Sequence, residues 1–435
     1  MTLSATAKAE ASLLLQTYDR HPVLFTHGKG VYLWDDKGKR HLDFLSGIGV
    51  NSLGHAHPAV LKAIQKQSRR MIHISNLYYH EYQSQLAKVL TQASGLDRAF
   101  FCNSGTEAWE GALKIARAYG KTKSVVANGS AATAPGAGKT RILALEGSFH
   151  GRTYGSLSTT GQAKYRDPFE PAVPGVTFVA FNDVADLDRQ FDSTVCAVCI
   201  ETIQGEGGIR EVSQQFLARA RELTQQHGAL LILDEIQCGL GRTGRFFAYQ
   251  HHNLKPDLVT VAKPLAAGLP LGAILATNDA ASAIHPGMHG TTFGGGPLAC
   301  AVALEVLRVT RTRLGHVRTV GAYFRKQLES LDKRHNSIME VRGRGLMLAL
   351  NLDDAAKAKV IAQELLEKGI LINRTHETVL RFLPPFIIEK KHVDQVVDAL
   401  DSALGATESS SNASKLDTES NRTTQSSSRR TRSQK

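Results

Sequence analysis

Cysteine is scarce and odd in number, five in 435 residues, which argues against a disulfide framework. No stretch approaches the roughly 18 consecutive apolar residues a membrane span needs. Leu13-Leu14-Leu15 is too short for the apolar core of a signal peptide. Residues 1–17 lack the Arg-rich character of a transit peptide, carrying Lys8 but also Glu10. These absences point to the cytoplasm and away from the membrane. Acidic residues are outnumbered by basic ones, giving a formal net charge of +12. The body lacks a dense Lys/Arg cluster interleaved with aromatics, so small anions, not nucleic acid, are the expected partners. Internal repeats are lacking too. Cys196 and Cys199 have a C-x-x-C spacing, but they fall in an apolar strand pattern. Residues three apart on a regular strand face opposite sides, so no metal is expected there.

What is present is a globular composition, 42% hydrophobic and 21% charged, long enough for two or three domains. Residues 1–69 hold a hairpin pattern: Gly30-Val31-Tyr32-Leu33-Trp34-Asp35 and Lys39-Arg40-His41-Leu42-Asp43-Phe44, with a Lys37-Gly38 turn between. Residues 70–305 alternate apolar strands with helical segments, the pattern of an α/β fold around a mostly parallel sheet. Strands are expected at 141–145, 194–201, 229–234, 258–262 and 272–276. Residues 306–405 read as a smaller unit with amphipathic helices and strands near 346–352 and 378–383. From 406 the chain turns Ser/Thr/Asn/Arg-rich without apolar periodicity, and residues 406–435 are expected to be a disordered tail. Residues 127–138 read as a surface loop.

Four segments carry chemistry. Leu258-Val259-Thr260-Val261-Ala262-Lys263 ends an apolar strand on an amine. Ligands in open α/β sheets sit beyond the carboxyl ends of strands. A desolvated lysine there serves as nucleophile and base, although a strand-end lysine also commonly just reaches solvent. Leu230-Leu231-Ile232-Leu233-Asp234 ends a strand on a carboxylate. It suits Mg²⁺ beside a nucleotide, a protonated ring nitrogen such as that of pyridoxal phosphate, or a cap on the next segment. Phe101-Cys102-Asn103-Ser104-Gly105-Thr106-Glu107 leads into a helical run, whose first N–H groups and dipole form an anion cradle. A second Gly/Thr-rich segment is His289-Gly290-Thr291-Thr292-Phe293-Gly294-Gly295-Gly296. Thr133 to Thr140 ends in the Gly-Lys-Thr of a P-loop, but the first glycine is Thr133 and a strand pattern follows where a helix is required.

Taken together, these segments resemble the fold-type I, class III (subgroup II) aminotransferases from about Tyr18 to Leu404. The motifs in order are Gly54-His55-Ala56-His57-Pro58, the 103–114 block, Ser148-Phe149-His150-Gly151-Arg152-Thr153, Glu201-Thr202-Ile203-Gln204-Gly205-Glu206-Gly207-Gly208, Asp234-Glu235-Ile236-Gln237, Ala262-Lys263 and the 289–298 block. Phe44-Leu45-Ser46-Gly47-Ile48-Gly49-Val50-Asn51 and Ser75-Asn76-Leu77-Tyr78-Tyr79 are most similar to acetylornithine aminotransferases.

The resemblance implies pyridoxal 5′-phosphate bound to Lys263 as a Schiff base, with Asp234 on its ring nitrogen and Gln237 on its ring oxygen. It further implies Phe149 stacked on the ring, Gly105 and Thr106 around the phosphate, and Glu235 and Ile236 at the cofactor. Thr292 would reach the phosphate of the neighbouring subunit in a homodimer with shared active sites. Tyr18, Arg152, Glu206, Thr291 and Arg381 would contact the substrates, an acetylornithine-like amine and 2-oxoglutarate or glutamate. Ornithine, succinylornithine, succinyldiaminopimelate and 4-aminobutyrate aminotransferases share these cofactor residues. Three positions depart from the family pattern: Thr202 stands for the usual Pro, Trp109 for a common Asn, and Gly296 for the usual Asn before Pro297. Trp109 and Gly296 are expected to reshape helix packing or the interface loop.

Overall fold

The computed structural model describes residues 2–123, 126–127, 130–131 and 138–408. Its centre is a seven-stranded sheet. The strands are β1 (Arg98–Cys102), β2 (Arg141–Leu145), β3 (Val176–Val179), β4 (Val195–Ile200), β5 (Leu230–Asp234), β6 (Leu258–Val261) and β7 (Gly272–Ala276). Their spatial order is β1-β7-β6-β5-β4-β2-β3. β3, β2, β4, β5 and β6 pair in parallel, while β7 runs antiparallel to both β6 and β1. Every residue of β4, β5, β6 and β7 is buried. Burial on both faces explains why these strands read as continuous apolar runs and not as alternating patterns. β1 and β3 were absent from the expected set. Their exposed or half-buried residues, Arg98 to Phe100 and Val176 to Phe178, dilute the apolar signal at the two sheet edges.

Helix α1 (Gly105–Thr122) packs against the sheet through Trp109, Ala112, Leu113 and Ala116. Its start is a capping arrangement: Ser104 Oγ accepts from the Glu107 N–H at 3.2 Å, and Glu107 Oε2 accepts from the Asn103 N–H at 2.8 Å. Helix α2 (Pro297–Asp332) has 36 residues and runs unbroken past position 305. Its first half, Cys300 to Leu307, joins the core of the large sheet. Its second half, Val317 to Leu331, joins a second core with Val31, Leu42 and Phe44 from the N-terminal stretch and Leu350, Phe382 and Leu400 from the C-terminal one. The smaller α+β part is therefore assembled from both chain ends. Strand Ile370–Leu371 adds in parallel to Arg40–Asp43, and Met347–Leu352 pairs with Val379–Phe382. The last described helix continues to residue 408. The expected tail therefore begins no earlier than 409, and residues 409–435 lie outside the described residues.

One strand argument from sequence is corrected. β2 pairs Arg141 with Val195 and Ile142 with Ala197, skipping Cys196. This bulge adds a residue on β4 and resets its alternation, so Cys196 and Cys199 pack in the same core cluster. Both thiols are free and buried, and burial pushes the Cys196 thiol up to about 12. Of the P-loop-like segment, residues 133–137 lie outside the described residues. Gly138-Lys139-Thr140 runs directly into β2, and the Lys139 ammonium is spent on the His227 carbonyl.

Candidate active site

Five of the sheet strands deliver side chains to one edge. The carboxyl ends of β1, β2, β4, β5 and β6 lie together, and they are followed by Asn103 to Thr106, Phe149-His150, Glu201, Asp234 and Lys263. These residues line a cavity of about 590 Å³, with Arg152, Glu206, Gln237 and Tyr18 completing its wall. A hollow of about 680 Å³ elsewhere is larger, but it is lined mainly by apolar residues such as Phe100, Ile115 and Ile274 and by no carboxylate. The chemistry belongs to the smaller cavity.

At its floor, Asp234 is 4% exposed. Its Oδ1 accepts from the Ile236 N–H at 3.0 Å and its Oδ2 meets His150 Nδ1 at 2.7 Å. A carboxylate only accepts, so the proton between them sits on Nδ1. Lys263 opens a single 3-10 turn directly beyond β6. Burial holds its amine below the usual lysine range; Glu206, Asp234 and Glu201 pull it back up, and Arg381 depresses it further. The α1 N-terminus forms the opposite wall. Glycine at 105 lets the backbone approach Ile236 closely, since a Cβ there would sit 2.9 Å from the Ile236 side chain and force it to shift. Thr106 Oγ1 is held at 2.7 Å by both Thr153 and Ser156 hydroxyls. The Phe149 ring forms part of the wall, and its N–H is fixed by Glu201 Oε1 at 2.8 Å.

One arginine lines the cavity and a second lies behind its wall. Arg152 is exposed and lies over the Tyr165 ring at 4.1 Å and the Phe149 ring at 5.6 Å. Arg381, fully buried on strand Val379–Phe382, reaches Glu206 Oε1 at 2.6 Å, Gly205 O and Gln237 Oε1 at 3.2 Å each, and Asn373 Oδ1 at 3.0 Å. Its Nη2 has no partner among the described residues. Burial alone would raise the Glu206 carboxyl. The Arg381 charge and hydrogen bond, with Lys263 and Gln237, outweigh that and hold it below the usual range.

Four expected site residues do not line the cavity: Arg381, which stands behind Glu206, and Glu235, Thr291 and Thr292. Glu235 points away from the cavity: it is fully buried and accepts from the Ala248 and Tyr249 N–H groups at 2.7 and 2.9 Å. Adjacent residues at a strand end face opposite ways, so Asp234 takes the cavity and Glu235 the interior, where burial pushes its carboxyl up to about 7. Thr291 and Thr292 do not line this chain's cavity. Thr291 Oγ1 accepts from Asn103 Nδ2 at 3.1 Å, and Thr292 is exposed. Conversely, His150 and Glu201 carry no role in the sequence reading although both lie in quoted motifs. Glu201 spans two segments, Phe149 N–H at Oε1 and Gly205 N–H at Oε2, 3.0 Å. Among the described residues no group of three or more His, Cys, Asp or Glu is placed to hold a metal ion.

A phosphate at a helix start, a flat ring against Phe149, a basic ring nitrogen at a buried carboxylate and a carbonyl carbon at an amine are what this cavity accommodates. Those are the parts of pyridoxal phosphate. The sequence matches the family described as aminotransferase class-III over residues 15–404. The chain belongs to the class-III aminotransferases. It is 47% identical to the acetylornithine aminotransferase of Aquifex aeolicus, over 90% of this chain and 99% of that protein. It is 46% identical to that of Methanocaldococcus jannaschii, over 89% and 94%. Among solved structures, an ornithine aminotransferase from Toxoplasma gondii superposes with a TM-score of 0.87 at 33% identity, covering 94% of this chain and 96% of that one. An acetylornithine aminotransferase from Elizabethkingia anophelis gives 0.80 at 30%, covering 93% and 99%. This class-III enzyme is a pyridoxal-phosphate-dependent aminotransferase of the fold-type I α/β architecture.

Proposed function

We propose that the enzyme transfers the terminal amine of N2-acetylornithine to 2-oxoglutarate, giving N-acetylglutamate 5-semialdehyde and glutamate, a step of arginine biosynthesis. The observation that carries this reading is the ion pair at 2.6 Å between Glu206, on the cavity wall, and the buried Arg381 behind it, in a chain 47% identical to an acetylornithine aminotransferase. An amine whose reacting carbon bears no carboxylate needs Arg381 neutralised. Glutamate, whose reacting carbon bears one, needs Arg381 free. A carboxylate able to leave the guanidinium serves both. Arg152, open at the rim, suits the distal carboxylate that the two substrates share, since a guanidinium grips it bidentately.

Pyridoxal phosphate, when bound, supplies the electron sink that stabilises negative charge on the substrate carbon next to the amine. The chain's own residues handle the proton. Lys263 Nζ, its pKa lowered by burial, takes it from that carbon and returns it as base and then acid. Asp234, oriented by His150 and the Ile236 N–H, would hold a proton on the ring nitrogen. Gly105 and Thr106 would hold the phosphate, Gln237 the ring oxygen, and Phe149 would stack on the ring beside Ile236. Tyr18, 76% exposed at the mouth, would cover the substrate.

The active sites are shared in a homodimer on this reading. Thr291 and Thr292 lie outside their own cavity, and Ile72, Leu77, Tyr78, Tyr79 and Phe293 are all more than 60% exposed, an apolar surface that suits a partner. The units are residues 1–69 with 306–405, and 70–305, with α2 as their common spine. The place of action is the cytoplasm, which suits five free cysteines; among the described residues no helix is long and apolar enough to cross a membrane. A second reading, ornithine as the amine, is favoured by the 0.87 TM-score to an ornithine aminotransferase. A panel of acetylornithine, succinylornithine, ornithine, succinyldiaminopimelate and 4-aminobutyrate, each with 2-oxoglutarate, decides. Acetylornithine is expected to give the highest kcat/KM on a yellow protein whose borohydride-reduced adduct maps to Lys263. A higher value for another amine replaces the substrate, and a protein that gains no visible band with pyridoxal phosphate removes the site assignment.

A further inference from the structure

Trp109 belongs to the second turn of α1 and is fully buried. It does not touch the cavity. Its indole lies flat on the His150 imidazole, ring centroids 3.9 Å apart and planes 7° apart. The indole is itself pinned, since Nε1 donates to Thr159 Oγ1 at 2.8 Å, and that hydroxyl donates onward to the Ser156 carbonyl at 3.0 Å. His150 is held at its backbone by Thr160 Oγ1, 3.0 Å from its N–H, and at its ring only by Asp234 Oδ2, 2.7 Å from Nδ1. The other ring nitrogen, Nε2, is buried without a partner among the described residues. Nothing on that side fixes the ring's plane by hydrogen bonding. Rotation about the terminal torsion is broad for histidine, and a partial turn would swing Nδ1 out of line with Asp234 Oδ2. The flat contact with Trp109 restricts that rotation. It also favours the ring in either charge state, because an indole face attracts a neutral aromatic and an imidazolium alike.

We propose that Trp109 is a positioning residue for Asp234: its stacked indole fixes the plane of His150, and the resulting Nδ1–H bond aims the Asp234 carboxylate at the cofactor's ring nitrogen. The proposal rests on the cofactor reading above for its last step alone; the Trp109–His150–Asp234 relation is testable without cofactor. It assigns a function to a residue at which this chain departs from the family pattern, where a small amide would offer hydrogen bonds but no plate.

The test uses the full-length chain, with and without pyridoxal phosphate. In the apoprotein, a proton shared between His150 Nδ1 and Asp234 gives a far-downfield proton resonance, identified by its loss in His150→Gln. It is expected to persist in Trp109→Phe, which keeps a plate, and to broaden or vanish in Trp109→Leu and Trp109→Met, which fill the space without one. Thr159→Val, which removes the indole's anchor along with that hydroxyl's bonds to the Gly155 and Ser156 carbonyls, should shift it. In the holoenzyme, Trp109→Leu or Trp109→Met should slow the single-turnover reaction with the amine substrate about tenfold or more, with Trp109→Phe near wild type. In an Asp234→Ala background the same substitutions should change nothing further. An unchanged resonance in Thr159→Val and in every folded Trp109 variant overturns the proposal. An equal slowing with and without Asp234 does the same and makes Trp109 core filling. A normal apoprotein series in a chain that gains no visible band with pyridoxal phosphate would overturn the cofactor reading and leave the positioning relation standing.

Discussion

Glu206→Ala separates the two half-reactions if the pair with Arg381 is a switch. In the resting cavity the guanidinium keeps three neutral acceptors after the substitution, Gly205 O, Gln237 Oε1 and Asn373 Oδ1, but loses its one anion at 2.6 Å. Removing one partner of a buried pair costs about 3–5 kcal/mol. Glu206 is itself 22% exposed and water enters the emptied place, so about 2–4 kcal/mol is the working figure here. Acetylornithine places no anion against Arg381, so its half-reaction bears much of this loss and should slow about ten- to a hundredfold, at 1.4 kcal/mol per decade. Glutamate brings its own carboxylate and no longer has to displace Glu206, so its half-reaction should hold or accelerate. The ratio of the two single-turnover rates is the assay, followed by the loss of the visible band on amine addition. Glutarate should also raise the thermal midpoint more in Glu206→Ala than in wild type, because only the variant has a vacant anion position at Arg381 in addition to the one at Arg152. Equal proportional decreases in both half-reactions, with no added response to glutarate, would mean the pair is a fixed strut and the switch is wrong.

Asp234→Ala should retain the visible band, since the contacts at the α1 N-terminus are untouched, while the amine half-reaction slows about a hundredfold or more; near-normal single-turnover rates would refute its role. Burial lowers the Lys263 amine, so the rate at which apoprotein takes up pyridoxal phosphate should level off at a lower pH than for an exposed lysine. Glu206→Gln, which removes an anion that raises it, should move the curve lower still; a curve matching free lysine sinks the assignment. Mixing Lys263→Ala with a Thr292 variant too severe to bind cofactor should restore activity in hybrid dimers, and no recovery after proven subunit exchange counts against a shared site.

The parts of this site legible in sequence are those that local pattern dictates. A buried parallel strand is a continuous apolar run, and a charged residue closing such a run is conspicuous, which is how Asp234 and Lys263 stand out. The α1 cradle is legible for a similar reason, because Ser104 and Glu107 form a start signal readable within four residues. What was not legible depends on partners distant in the chain. His150 gains its role from Asp234, 84 positions away, and Glu201 from joining the segments after β2 and β4. The bulge at Cys196 is a property of pairing with β2, and no count of residues along β4 alone reveals it. Glu235 is the instructive opposite: strand alternation already sends it away from Asp234, and the family motif, which carries the two together, obscures that elementary geometry.

None of the three departures from the family pattern lies on the cavity wall. The Thr202 hydroxyl lies 3.4 Å from Glu235 Oε1 and 3.5 Å from Cys238 Sγ, so the position usually filled by Pro helps seat the carboxylate that anchors residues 248 and 249. Gly296 is the residue before α2, with φ −59° and only ordinary or slightly tight contacts for a Cβ, 3.3 Å from Phe293 O; nothing in the described structure requires glycine there. Trp109 backs His150. None of the three contributes an atom to the cavity. A side chain one layer back alters how firmly a reacting group is held without changing which groups are present. On the proposed reading, substrate choice depends on Arg152, Glu206 and the Arg381 behind it, and proton transfer on the floor. The layer that differs in this chain backs the floor at Trp109 and leaves Arg152, Glu206 and Arg381 as the family pattern has them, so its departures should appear in the rate of the proton-transfer step before they appear in which amine is taken.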